Sequence, residues 1–167
     1  MSSTNNIRLL DIKYGTSVDG IGLRTSLYTV GCEHHCVGCH NPQSWDENGG
    51  EAIDIDTLFA HIVDADMNVT FTGGDPMFHP EGFIKLARMI KERTDKNIWC
   101  YTGYRFESLL QHPLRRELVE LCDVVVDGPY IEKEKDLSLR FRGSRNQRII
   151  DVKQSLQQGT ICLLELP

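Results

Sequence analysis

Apolar positions along the chain follow two rhythms in turn, and their order is the first guide to the fold. RTSLYTV, residues 24–30, is rich in β-branched and aromatic side chains and stops at Gly31, as a strand does when it runs into a loop. In IDTLFAHIVDA, residues 55–65, Leu58, Phe59, Ile62 and Val63 recur at helical spacing; NVTFTGG, residues 68–74, follows as a short strand into a glycine turn. Pro80 opens a second helix with Phe83, Ala87 and Ile90 on one face, and NIWCY, residues 97–101, returns as a strand. Leu114, Leu118 and Leu121 form a third helical stripe before DVVVD, residues 123–127, an unbroken apolar run suited to a strand covered on both faces. Two weaker strands are expected at QRII, residues 147–150, and TICLLEL, residues 160–166.

About six strands separated by helices predict an α/β fold whose sheet is mainly parallel, with right-handed crossovers. A closed eightfold barrel takes about 250 residues. The 167 residues here predict an open, partial (β/α) barrel, forming one domain over 1–167 because no repeat or linker divides the chain. Parallel strands carry their chemistry in loops beyond their carboxyl ends. The segment after Val30, the TGGDP turn, YTGY and DGPY are therefore expected on one rim.

Composition narrows the setting. With 40% apolar and 25% charged residues the chain reads as an ordinary globular protein able to bury a core without disulfides. MSSTNNIR lacks the apolar centre of a signal peptide, and no run reaches the roughly 18 apolar residues of a membrane helix, so no membrane association and a cytoplasmic location are expected. A net charge of −6 gives no general reason to bind nucleic acid. In a reducing compartment, clustered cysteines point to a metal or catalytic site rather than a disulfide frame.

Such a cluster exists: Cys32, Cys36 and Cys39 fall within eight residues of GCEHHCVGCHNPQSW. A structural zinc site takes four ligands, usually as two separated pairs; His34, His35 or His40 could complete a Cys3His set. A Cys36–Cys39 redox pair would leave Cys32 without a role. A 4Fe-4S cluster in an electron carrier takes four cysteines, so three would leave one iron open to a substrate. Cys100, Cys122 and Cys162 lie in or beside apolar elements and read as core residues. His34 and His35 read as loop surface.

The Cys32-x3-Cys36-x2-Cys39 spacing, SVDGIGLR (17–24), FTGGDP (71–76) and RGSRNQRIID (142–151) together resemble the glycyl-radical activase branch of the radical S-adenosylmethionine enzymes. Within that branch they are similar to activases of anaerobic ribonucleoside-triphosphate reductase. The resemblance implies a fold of the radical S-adenosylmethionine type and a 4Fe-4S cluster on Cys32, Cys36 and Cys39. It also implies S-adenosylmethionine chelating the fourth iron. Reduction, by a donor such as flavodoxin, would cleave the cofactor to methionine and a 5′-deoxyadenosyl radical, which takes hydrogen from a backbone glycine of the reductase. Gly38 and His40 would bracket Cys39 near the cofactor, with Gly38, where many relatives carry an aromatic residue, leaving main-chain contact. Gly73 and Gly74 would bring backbone carbonyls to the cofactor's ammonium, and Asp75 stands where the wider superfamily often has Glu. Thr102, Gly103 and Asp127 match loops approaching the ribose and methionine parts. The arginines of LRFRGSRNQR (139–148) read as a solvated edge or as a surface for an acidic partner or the cofactor's carboxylate.

Overall fold

The computed structural model describes residues 5–39 and 42–167. Four strands form a contiguous parallel block: β2 (Arg24–Thr29), β4 (Asn68–Gly73), β5 (Ile98–Tyr101) and β6 (Val124–Asp127). β1 (Asn6–Thr16) and β3 (Glu51–Asp54) extend one edge antiparallel, and β7 (Arg148–Asp151) extends the other, giving an open seven-stranded mixed sheet in the order β3-β1-β2-β4-β5-β6-β7.

Helices α1 (Ile55–Ala65), α2 (Glu81–Arg93), α3 (Phe106–Leu109) and α4 (Pro113–Leu121) occupy the connections within the parallel block. A last helix, α5 (Val152–Gln158), follows β7. Local chemistry sets their limits. The Asp54 carboxylate accepts from the Thr57 N–H to start α1, Pro113 sits in the first turn of α4, and Gly159 closes α5 in the left-handed conformation at φ 70°.

Strand alternation then divides the sheet into two unlike faces. Leu27, Val69, Phe71, Ile98, Cys100 and Val125 point to the helices and join Leu58, Ile62, Phe83, Leu86, Ile90 and Leu118 in the main core. The opposite face carries Arg24, Ser26 and Tyr28 on β2, Thr70 and Thr72 on β4, and Trp99 and Tyr101 on β5. Its apolar part is a smaller cluster of Trp99, Val124, Val126 and Ile149, covered by Ile21, Phe141 and Leu164 rather than by helices. A sheet clad on one side and polar on the other leaves a concave surface for a site.

The structure departs from the sequence expectation at both edges. β1 is absent from the expected strands because its alternation breaks: Ile7 and Leu9 are buried, but the register shifts between Leu9 and Asp11. β3 is a solvated edge of four residues. β7 forms as expected but pairs antiparallel to β6, so no crossover joins them. Residues 160–166 do not form a strand; their contact with the sheet is an isolated bridge from Leu163 to Ile150, together with backbone hydrogen bonds. No helix among the described residues is long and apolar enough to cross a membrane.

Candidate metal centre

The carboxyl ends of β2, β4, β5 and β6 meet at one rim, around a cleft of about 640 Å³. Cys32, Cys36 and Cys39 all line it, together with His34, Gly73, Gly74, Asp75 and Thr102. All three cysteines are half-buried. The loop that bears them is closed by Gly31 N–H to Ser44 at 2.6 Å, turned by Cys39 N–H to Cys36 at 3.1 Å, and tied to the β4 turn by Asp75 N–H to the Gly31 carbonyl at 2.8 Å.

The glycine turn makes that seam possible. At Gly73 φ is +98° and a Cβ would stand 2.5 Å from the Thr29 nitrogen; at Gly74 a Cβ would stand 2.7 Å from the Gly31 oxygen. Gly73 therefore serves close backbone approach to the end of β2 and Gly74 to the start of the cysteine loop, beside the cofactor contact expected from the sequence. Gly38, at φ +80°, does not line the cleft; a Cβ there would fall 1.9 Å from a Glu132 carboxylate oxygen. His40 lies outside the described residues.

Asp75 is the hub that sequence reading missed. It is 2% exposed, and its Oδ1 accepts from the Met77 N–H at 2.9 Å. Oδ2 accepts from the Gly103 N–H at 2.9 Å and the Thr102 hydroxyl at 3.1 Å, and lies 2.8 Å from His34 Nε2. One carboxylate thus joins the cysteine loop to the turns after β4 and β5. Tyr104 packs edge-on against the His34 ring at 4.4 Å and is held by Arg115 and Glu33, so His34 is a clamped side chain rather than loop surface. His35 stacks on Trp45 at 4.5 Å. No sequence pattern reveals a buried acid of this kind; the sole signal was a carboxylate directly after Gly-Gly at a strand end. Asp75→Ala strands two backbone N–H groups and a hydroxyl, and is expected to cost about 3 kcal/mol in urea unfolding, with a matching loss of iron uptake.

Asp127 sits apart from the cleft lining. It is fully buried, and its carboxylate accepts from the Phe106 N–H at 2.8 Å and from Arg148 Nε at 3.0 Å and Nη2 at 2.6 Å, so it is spent on starting α3 and pairing β7. Cys100 and Cys122 are buried, as expected; Cys162 is half-exposed near Ser155.

Comparison with known proteins decides the family. A model of the 4Fe-4S single cluster domain matches residues 18–150. Anaerobic ribonucleoside-triphosphate reductase-activating proteins align across most of the chain. That of Enterobacteria phage T4 is 36% identical over 139 residues, covering 79% of this chain and 86% of the relative. That of Escherichia coli K12 is 35% identical over 140 residues, covering 78% and 89%. The chain belongs to this family of activating proteins.

The donor set fits the iron-sulfur cluster of the family's domain. Burial pushes the Cys32 thiol up to about 11 and raises Cys36 as well, while backbone N–H groups of His34 and His35 directed at Cys32, and of Tyr130 at Cys36, act in the opposite sense. Such N–H donors favour a thiolate over a thiol, which a metal ligand requires. Two buried polar atoms of cleft-lining residues, Tyr101 Oη and Trp45 Nε1, have no hydrogen-bond partner among the described residues and suit a polar ligand. Donor atoms of Cys32, His34 and Asp75 also lie within 4.8 Å of one another, as a single-ion site would place them. The three contacts already converging on Asp75 Oδ2 weigh against that use.

Proposed function

We propose that the chain activates an anaerobic ribonucleoside-triphosphate reductase by generating a radical on a backbone glycine of that enzyme. Three half-buried cysteines on one rim loop, opening on a shared cleft, carry this reading. Cys32, Cys36 and Cys39 would hold a 4Fe-4S cluster, and S-adenosylmethionine would occupy the cleft beside them. When bound, this pair supplies reductive cleavage of a carbon–sulfur bond, one-electron chemistry that side chains lack.

The chain's own residues do the positioning. Gly73 and Gly74 present their backbone at the cleft, Thr102 stands beside them through Asp75, and Gly38 and His40, on either side of Cys39 in the sequence, would offer main-chain contact to the cofactor. Phe141, Leu139 and Tyr101 wall the cleft and limit water, which a reactive carbon radical requires. Asp127 acts at one remove, by holding β7 to β6. This reading implies an incomplete barrel of the radical S-adenosylmethionine type in a single domain, with which an open seven-stranded mixed sheet is compatible. Its open side admits a loop of a larger partner. A low-potential donor of the flavodoxin class would reduce the cluster, in the cytoplasm, where thiols stay reduced.

Anaerobic reconstitution tests this directly. The expected product is brown, carries about four irons per chain, cleaves S-adenosylmethionine when reduced, and gives the reductase a glycyl-radical signal in electron paramagnetic resonance. A colourless protein with a single zinc and no turnover would point instead to a zinc-stapled module.

A further inference from the structure

Cys32 is followed at once by two side chains that anchor the loop to other elements. Glu33 accepts from the Tyr104 hydroxyl, and His34 places Nε2 2.8 Å from Asp75 Oδ2. The His34 ring stands edge-on to Tyr104 at 4.4 Å and also presses on the backbone after β5, where a Cβ on Gly103 would lie 2.5 Å from His34 Cδ2. Gly103 admits the ring because it has no side chain. Tyr104 is itself held from α4: Arg115 lies over its ring at 4.0 Å, donates to its hydroxyl at 3.0 Å and donates to the Met77 carbonyl at 2.8 Å. A line of contacts therefore runs from α4 through Tyr104 to the two residues after Cys32.

Thiolate ligation alone does not call for such a clamp. The peptide N–H groups directed at the Cys32 sulfur are those of His34 and His35. A ring held by Asp75, Tyr104 and Gly103 together leaves its own peptide little freedom to turn. Hydrogen bonds to the sulfurs are among the features that set the potential of an iron-sulfur cluster, because they stabilise the reduced form with its extra negative charge. Neither Tyr104 nor Arg115 is among the residues lining the cleft, so both act through His34 rather than on the cofactor.

We propose that Tyr104, backed by Arg115 and Gly103, is a positioning residue that sets the reduction potential of the cluster by holding the His34 and His35 N–H groups on the Cys32 sulfur. The proposal rests on the cluster ligation given above and adds what tunes it. Loosening the clamp lets the loop swing those N–H groups away, and the potential falls. Reduction by a given donor is then less complete, so the clamp acts on the electron-transfer step that precedes bond cleavage.

Redox titration of the reconstituted chain, followed by electron paramagnetic resonance with no S-adenosylmethionine present, tests the proposal in three variants. Tyr104→Leu removes the ring contact and both hydroxyl links. Tyr104→Phe keeps the ring against His34 and loses only the hydroxyl, whereas Gly103→Ala displaces His34 and leaves Tyr104 chemically intact. Tyr104→Leu and Gly103→Ala are expected to load about four irons per chain. At a fixed potential each is expected to show a reduced-to-oxidised ratio at least about tenfold below wild type, a fall of about 59 mV for one electron. Tyr104→Phe is expected to show a smaller fall, since the edge contact survives. Ratios within about twofold of wild type in both Tyr104→Leu and Gly103→Ala, less than a third of that shift, would overturn the proposal. Loss of iron in step with loss of folded chain in all three would overturn it too, leaving the clamp a scaffold for the loop and no more. A wild-type chain that takes up no 4Fe-4S cluster overturns the functional reading itself, an outcome seen before any variant is compared.

Discussion

Cys36→Ala is expected to abolish both iron uptake and radical formation while leaving the fold nearly unchanged. The side chain is half-buried at the cleft and belongs to neither apolar cluster, so its removal opens no core cavity. The loop keeps its seams at Gly31, Cys39 and Asp75 through backbone groups that the substitution does not touch. With one of three thiolates gone, a cluster retains too few protein ligands to survive. Iron analysis after anaerobic reconstitution should find little metal. Thermal unfolding of the metal-free variant should stay within a few degrees of the metal-free parent, since a surface-type change costs under about 0.5 kcal/mol. A Cys36→Ala protein that loads iron and activates the reductase would remove Cys36 from the ligand set. Because burial raises the Cys32 and Cys36 thiols, loading displaces their protons and should strengthen as pH rises toward about 11, the value to which Cys32 is pushed.

Arg24→Leu is expected to be the most damaging single change to stability. Arg24 is 0% exposed at the start of β2, on the helix-free face. Its guanidinium donates to Thr70 Oγ1 at 2.8 Å, the Ile21 carbonyl at 2.9 Å, the Val69 carbonyl at 2.8 Å and Asn97 Oδ1 at 2.6 Å, and lies over the Trp99 ring at 5.4 Å. Burial lowers its pKa to about 10, so it stays charged at neutral pH. One cation therefore ties β2, the 17–23 loop, β4 and the entry to β5 together. Gly20 is shaped around it, since a Cβ there would sit 2.7 Å from Arg24 Cδ. Leucine fills part of the volume but leaves several buried acceptors unpaired, an effect of about 3–5 kcal/mol by analogy with broken buried ion pairs. Urea unfolding should show a midpoint shift of that size. A shift under about 1 kcal/mol, the worth of one ordinary hydrogen bond, would mean that the network is satisfied from elsewhere. The cysteine loop lies at the other end of β2, so iron stoichiometry in the folded fraction should hold.

The parts of the molecule that were legible in the sequence are those whose burial is encoded locally. The four parallel strands are buried along most of their length, so each announces itself as an apolar or β-branched run. α1, α2 and α4 each bury one stripe, and their spacing gives them away. β1 hid because its bulge breaks the alternation, and 160–166 misled because β-forming side chains do not make a strand without ladder partners. That the cysteine loop borders a site was legible from three cysteines within eight residues after a strand end. The roles of Asp75, Arg24 and Asp127 were not, because each is fixed by partners distant in sequence. Asp127 pairs with Arg148 only through a register in which β7 runs backward along β6, and that direction leaves no trace in either segment.

The reversal of β7 has a consequence for how this molecule can change over time. Since Asp127 and Arg148 face each other across the last strand pair, the stretch between them departs from and lands on adjacent points. It behaves like a handle fixed at both feet to one lip of a bowl. Lengthening, shortening or exchanging the handle re-lines one wall of the bowl but leaves in place the sheet from which the thiolate loop springs. A graft of this stretch from a related protein should therefore change one side of the reaction chamber while the seven-stranded sheet beneath it stays folded.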